Sequence, residues 1–415
     1  LSLPIYQYLY NRGPVLLGFQ WGNGGAMDLA AYLQGHRQDY RWWDWDFRRM
    51  DQSIKAILIL VCYLFILSFY KRDARSAIRI IAAAMADTTA CKFVKWLSEE
   101  DWRLVVGMIF SGELGTSVID TLVSALGVIC YTLHVVSILR KYNDVRADEV
   151  EEACVTGLRV RTAVPCGHPF VFKVYGDDGI AGVPNGPDGS WVNIFVLEGR
   201  TAYPDLLPFK DFLLKQFDLE LKPKAYHEFP HFYTLVNPAG EVERMGPAIL
   251  HRHFVQVKWT NVHGTNYDTV GAFRPCHESV QRLYNSINPS IVPETLVGKV
   301  VGSMYDTQGM NPRSFAIMCA ELRLIRDSFW TPTYDPIHSY ERELRRDGGE
   351  LQQREWLDDA IQVLKKSGFR TLGWRDLVIP TQDDLLSKYL RPGSPAPTFT
   401  NPLRDWEELC DLGLN

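Results

Sequence analysis

The stretch Phe170-Val171-Phe172-Lys173-Val174-Tyr175-Gly176-Asp177-Asp178-Gly179-Ile180-Ala181-Gly182-Val183 reads as strand, turn, strand. Residues 170–175 are β-branched and aromatic, Gly-Asp-Asp-Gly is turn chemistry, and a second apolar run resumes beyond it. A hairpin with two adjacent carboxylates at its tip presents at least one of them toward the opening of a sheet. Unscreened carboxylates side by side repel, and a divalent cation is the usual relief. Taken alone, the tripeptide is more simply a solvated turn, so the rest of the chain decides.

Upstream, Tyr40-Arg41-Trp42-Trp43-Asp44-Trp45-Asp46-Phe47 reads as an aromatic strand ending near Asp46, and Asp51 follows at the start of a helix. The helix macrodipole is enough to explain Asp51. Asp46 is harder to explain structurally. If its strand neighbours the hairpin, Asp46 and Asp177 converge and can bind two Mg2+, with Mn2+ as a substitute. Such a pair of ions suits in-line phosphoryl transfer, because it stabilises both the attacking and the leaving oxygen. Between these acids lies Ser111-Gly112-Glu113-Leu114-Gly115-Thr116-Ser117-Val118-Ile119-Asp120. Its glycines allow a nucleic-acid strand to approach closely, and its hydroxyls can bond ribose or phosphate. An N-cap loop before a helix explains the segment equally well.

Composition sets the frame. The 415 residues are 46% hydrophobic and include 12 Trp, 19 Tyr and 20 Phe, enough for a large core and more than one sub-domain, and unlike a disordered scaffold. The net charge of −5 neither signals nor excludes a nucleic-acid partner, since positive charge can be confined to a channel. Eight Cys without a Cys-x-x-Cys pair point to reduced thiols, and Cys154, Cys166 and His168 make only a weak zinc set. The chain begins with Leu and shows no signal-peptide layout. Its most apolar run, 56–70, is shorter than the ~20 residues a membrane span needs, so it reads as a buried helix and no transmembrane segment is expected.

Outward from the hairpin, residues 1–41 look irregular. Helices are expected at 73–86, 95–106, 116–140 and 205–217, a short strand at 219–222, and a second hairpin pairing 231–236 with 241–244. From 246 the chain reads as mostly helical, including 293–303, 312–328 and 350–367. A Pro-rich linker at 391–397 precedes a short terminal helix.

In order and spacing, the three acidic and Ser-Gly segments resemble palm motifs A, B and C of picorna-like viral RNA-dependent RNA polymerases: D-x4-D, S-G-x3-T-x3-N and Y-G-D-D. The segment from Lys222 through Arg244 looks like motifs D and E, and 232–244 resembles partitivirus- and picobirnavirus-type enzymes. The resemblance implies an α+β fold, a right-hand polymerase palm of antiparallel sheet packed on helices, followed by a mostly helical thumb. The implied divisions are residual fingers at 1–41, palm at 42–245 with a fingers-type helical insertion at 71–110, thumb at 246–390, and a linker and tail at 391–415. It further implies that Asp46 and Asp177 are metal ligands assisted by Asp178, and that Asp51 reads the ribose 2′-hydroxyl. Ser111, Gly112 and Thr116 would shape the site around the nascent base pair. Lys224 would protonate the leaving pyrophosphate, with Lys222 nearly as good a candidate.

The sequence departs from that pattern at Asp120, where the family has Asn, so the partnership of Asp51 with residue 120 is in question. It departs again in length, with only about 45 residues before Asp46, among which Arg12, Arg37 and Arg41 are the only Lys or Arg. A fragment, or a polymerase whose fingers come from a second chain, is therefore expected. The implied partners are template and nascent RNA, NTPs, and capsid or replication-complex proteins, in the host cytoplasm or inside a virion. Two other readings remain: a non-catalytic palm-like subunit that binds RNA or capsid, and a reverse transcriptase.

Overall fold

A β-strand points alternate side chains to opposite faces, and the strand at Tyr40–Phe47 has something to bury on both. The computed structural model describes residues 14–17, 19, 21–22, 24–68, 83–84, 89–95, 101–109, 116–159, 169–185, 203–284, 300–304, 310–328, 379 and 381–390. In chain order these form α1 (Gly25–Tyr32), β1 (Tyr40–Phe47), α2 (Met50–Ser53), α3 (Ala56–Ser68), β2 (Cys91–Lys95) and β3 (Trp102–Val106). Then come α4 (Thr116–Lys141), α5 (Ala147–Arg159), β4 (Val171–Tyr175), β5 (Asp178–Pro184), α6 (Phe209–Phe217) and β6 (Leu221–Phe229). The chain continues through β7 (Leu235–Val236), β8 (Val242–Arg244), β9 (Ala248–Ile249), β10 (Arg252–Thr260) and β11 (Asn266–Phe273). It closes with α7 (Cys276–Tyr284), α8 (Pro312–Ser328) and α9 (Gln382–Tyr389).

The central sheet runs β4-β5-β1-β6, with every neighbouring pair antiparallel. Trp43, Trp45 and Phe47 face one side and join a core built with α3, α4, α5 and α6. Tyr40 and Trp42 face the other side and pack with α1, Phe232 and residues of β10 and β11. Each of these buried rings contributes on the order of 2–3 kcal/mol of apolar burial. On the helix side the fit is close at Gly179, which stands opposite Trp45. A Cβ there would come within 2.1 Å of the indole, so only glycine allows the two strands to approach. Among the described residues one helix, α4, is long and apolar enough to cross a membrane by length and composition, but 67% of its apolar window is buried, as in the core helix of a globular protein.

The fold class agrees with expectation: antiparallel sheet packed on helices. Several elements differ from it. Residues 248–273, expected to be helical, form a second antiparallel sheet in the order β11-β10-β9. Phe254 and Ala272 of this sheet are buried against the central sheet, and tertiary burial of alternate residues determines the outcome there. Its first turn, Leu250-His251, has φ of 53° and 56°, left-handed backbone adopted without a glycine. The helix expected at 95–106 is absent; β2 and β3 pair as a two-stranded ribbon instead, in keeping with the β-branched and aromatic character of Phe93, Val94, Trp102 and Val105. Residues 25–32, expected to be irregular, are helical, and the strand expected at 219–222 runs on to Phe229. The second hairpin pairs only 235–236 with 242–244. Helix α3 is only half-buried: Leu58, Ile59, Cys62 and Tyr63 point inward while Ile57 and Leu64 are exposed. The helix at 312–328 is present, and residues 300–304 are helical. The helix expected at 350–367, the linker at 391–397, most of 73–86, and Cys166 and His168 lie outside the described residues.

Lys173 of β4 points into the α1 side of the sheet, where its ammonium lies 4.2 Å from the centre of the Tyr32 ring. Burial lowers its pKa from 10.5 to about 7. Because the folded pKa lies below the unfolded one, the penalty is complete below pH 7 and is relieved as pH rises toward 10.5. Wild-type unfolding free energy, compared with that of Lys173→Met, should therefore gain on the order of 1 kcal/mol per pH unit between pH 7 and 10. Urea denaturation of both proteins across that range checks this. Parallel curves would show that Lys173 stays charged in the fold.

Candidate active site

Strand register brings the acids together. Asp46 stands directly opposite Asp178 in the β1–β5 ladder, so the two side chains share one face of the sheet. The Phe47 amide donates to the Asp177 carbonyl at 3.1 Å, which ties the end of β1 to the hairpin tip. Asp46 also lies close enough to Asp177 for its charge to raise the Asp177 pKa. At the hairpin tip a cleft of about 360 Å3 is lined by Arg49, Met50, Asp51, Thr116, Ser117, Asp120, Tyr175, Gly176, Asp177, Asp178 and Leu250.

The electrostatics follow from this crowding. Burial pushes the Asp178 pKa up to about 7, and the charges of Asp177 and Asp46 add to the effect. Asp177 is also raised, first by burial and then by Asp46. Asp120, at the first turns of α4, is raised to about 7 by burial, then by Asp51 and Asp177. With its pKa near 7, Asp120 is partly protonated at neutral pH, and the protonated form has one hydrogen-bond donor, part of what an asparagine would offer at that position. Lys222 of β6 forms an ion pair with Asp46 Oδ2, while Asp46 Oδ1 is buried without a hydrogen-bond partner.

The residues singled out by sequence fall into three groups. Asp177, Asp178, Asp51, Thr116 and Asp120 line the cleft, and Asp46 stands beside it, opposite Asp178 in the ladder. Lys224 lies on β6, but its side chain is outside the described residues, as are Ser111 and Gly112 altogether. The lysine seen on the acids is Lys222.

Four further residues shape the site. Thr121, one position after Asp120 on α4, accepts the Gly176 amide at 2.8 Å and fixes the hairpin turn, where Gly176 has φ 58°. Nothing in its sequence setting marks it out. Asp44, two residues before Asp46 on the same face, accepts the Ala248 amide at 2.8 Å and so joins the second sheet to the first; strand alternation alone could have found it. Leu250, in the left-handed turn between β9 and β10, lines the cleft, and its backbone lies close enough to Asp178 to lower that carboxyl's pKa a little. Arg49, also left-handed at φ 50°, lines the cleft beside Asp51.

Whether these residues suit a divalent cation can be judged from their chemistry. Among the described residues, no three His, Cys, Asp or Glu side chains are gathered at the spacing of a finished metal site. The donor set is nevertheless hard oxygen, Asp177 and Asp178 are held above the ordinary carboxylate pKa by burial and then by neighbouring carboxylates, and a buried Asp46 oxygen has no partner. Such a set suits Mg2+ or Mn2+, and a cation would remove the repulsion that now has to be met by protons and by Lys222.

No family model matches the chain, and no curated protein matches it. Among solved structures it is similar to the RNA-dependent RNA polymerase of a human picorbirnavirus, at 10% identity and a TM-score of 0.43 over 82% of this chain and 53% of that one. The insertion loop deletion mutant of that polymerase gives 10% identity and a TM-score of 0.41 over the same shares. The chain thus spans about half the length of these solved polymerases.

Thr121→Val keeps the shape of the side chain and removes the oxygen that accepts the Gly176 amide. Leaving that buried donor unpaired should cost about 1–3 kcal/mol. Chemical denaturation should show the loss, and amide hydrogen exchange should show faster exchange at Gly176.

Proposed function

We propose that this chain is the catalytic core of a viral-type RNA-dependent RNA polymerase, with the central sheet as its palm. One observation carries the reading: Asp46 and the Asp177-Asp178 pair, far apart in sequence, meet at one end of an antiparallel sheet beside a cleft. Asp51, Thr116 and Asp120 line the same cleft, where a ribose and its base pair would lie.

Asp46 and Asp177 would hold Mg2+ or Mn2+, with Asp178 assisting. Bound there, the metal would make a primer or nucleotide 3′-hydroxyl more acidic and neutralise triphosphate charge. The protein's own part is positioning. The hairpin is fixed by Thr121 and the Phe47 amide, and Asp178 lies beside the backbone of Leu250. Asp51 and a neutral Asp120 would together bond the 2′-hydroxyl, one accepting and the other donating, and so favour ribonucleotides over deoxyribonucleotides. Template and nascent RNA and NTPs are the proposed ligands. The fingers, with their basic triphosphate-gripping segment, would come from a second chain or from sequence outside these 415 residues. The thumb is proposed to begin beyond β11, with the second sheet as its junction to the palm.

Asp177→Asn should lower RNA-templated nucleotide incorporation by roughly a hundredfold or more, while leaving RNA binding within about twofold of wild type. In the same proteins, calorimetric Mn2+ binding should be lost in Asp46→Asn and in Asp177→Asn. Synthesis that persists in Asp177→Asn, or Mn2+ binding indifferent to both substitutions, removes the reading.

A further inference from the structure

Opposite Asp46 the ladder between β1 and β6 breaks. Trp45 pairs with Tyr226 and Phe47 with Leu221, so Lys222-Pro223-Lys224-Ala225 bulges out against the single residue Asp46. Pro223 has no N–H to return to the ladder, which is consistent with an interruption here. Leu221 faces the helix-side core, so the next side chain, Lys222, turns to the acidic face. Its ammonium rests on Asp46 Oδ2, with the lysine side chain 43% exposed and the aspartate 17%.

We propose that Lys222 is the resident counterion of the acidic site. It holds Asp46 by Oδ2 in the metal-free protein, competes with a divalent cation for that oxygen, and swings into the open half of the cleft when the cation binds. The proposal rests on the reading of Asp46 and Asp177 as metal ligands. Three observations support it. The carboxylates need positive charge beside them whether or not metal is present, and Lys222 is the cation in contact with Asp46. An ion pair with one partner nearly half exposed is weak, and a lysine stem can relocate while keeping its head in water. The pairing also occupies one Asp46 oxygen and leaves the other without a partner, in keeping with the absence of a finished ligand trio among the described residues.

The test uses the whole chain, Mn2+ titration by calorimetry, and melting curves with EDTA or with Mn2+. Lys222→Met should bind Mn2+ about five- to tenfold tighter than wild type. It should melt at a lower temperature in EDTA and recover more on adding Mn2+. Lys222→Gln should do the same, which guards against a folding defect particular to Met, and Lys222→Arg should stay within about twofold of wild type. Arg140→Met removes an exposed charge at the far end of α4, and its affinity should change by less than twofold. Wild-type or weaker affinity in both neutral variants overturns the counterion role, as does equal tightening in Arg140→Met. If Mn2+ binding is meanwhile lost in Asp177→Asn, the metal reading survives that failure. If wild type and Lys222→Met both fail to bind Mn2+ through Asp46 and Asp177, the functional reading falls and takes this inference with it.

Discussion

The register that sets Asp46 against Asp178 is the constraint on which the structure turns. Directly opposed residues in an antiparallel ladder hold their Cβ atoms roughly 5 Å apart on one face, and like charges so placed are destabilising. The hairpin adds Asp177, and α4 brings Asp120 from the side. Such a concentration of charge needs relief. It is met by protons on acids raised toward neutrality, by the Leu250 backbone and by the Lys222 ammonium. Each of these is a partial substitute for a cation.

The sheet can bear this because its other positions are so thoroughly buried. Along β1 the face that carries Asp44 and Asp46 begins with Tyr40 and Trp42, which are sealed under α1 and the second sheet. The opposite face packs three aromatic rings against helices. The unfavourable end is therefore anchored by a strongly favourable one. Strain gathers at the same place. Leu250 and His251 both adopt left-handed backbone, at about 1–2 kcal/mol each, in the turn that reaches Asp178.

Much of this is legible in the sequence, because alternation along a strand is a strong signal. The aromatic run of β1 and the Gly-Asp-Asp turn between β4 and β5 show in their residues, and so does the long apolar helix α4. What is not legible depends on long-range contact. The β2–β3 ribbon and the sheet at 248–273 lack an Asn-Gly or Asp-Gly turn, and Leu250-His251 is a turn that local chemistry would not choose. Thr121 differs from other helical threonines only in what packs above it. Lys222 and Lys224 flank one proline, and only the bulge in β6 shows which of them meets Asp46.

Helix α4 has one more property. Its 26 residues span about 39 Å without a break. The first turns carry Asp120 and the threonine that grips the hairpin, and the last turn carries Arg140 and Lys141, bonded to Glu151 and Asp205 on the far surface. Mechanically it is a rod clamped at both ends. One continuous element thus joins the surface at Asp205 to the turn at Gly176.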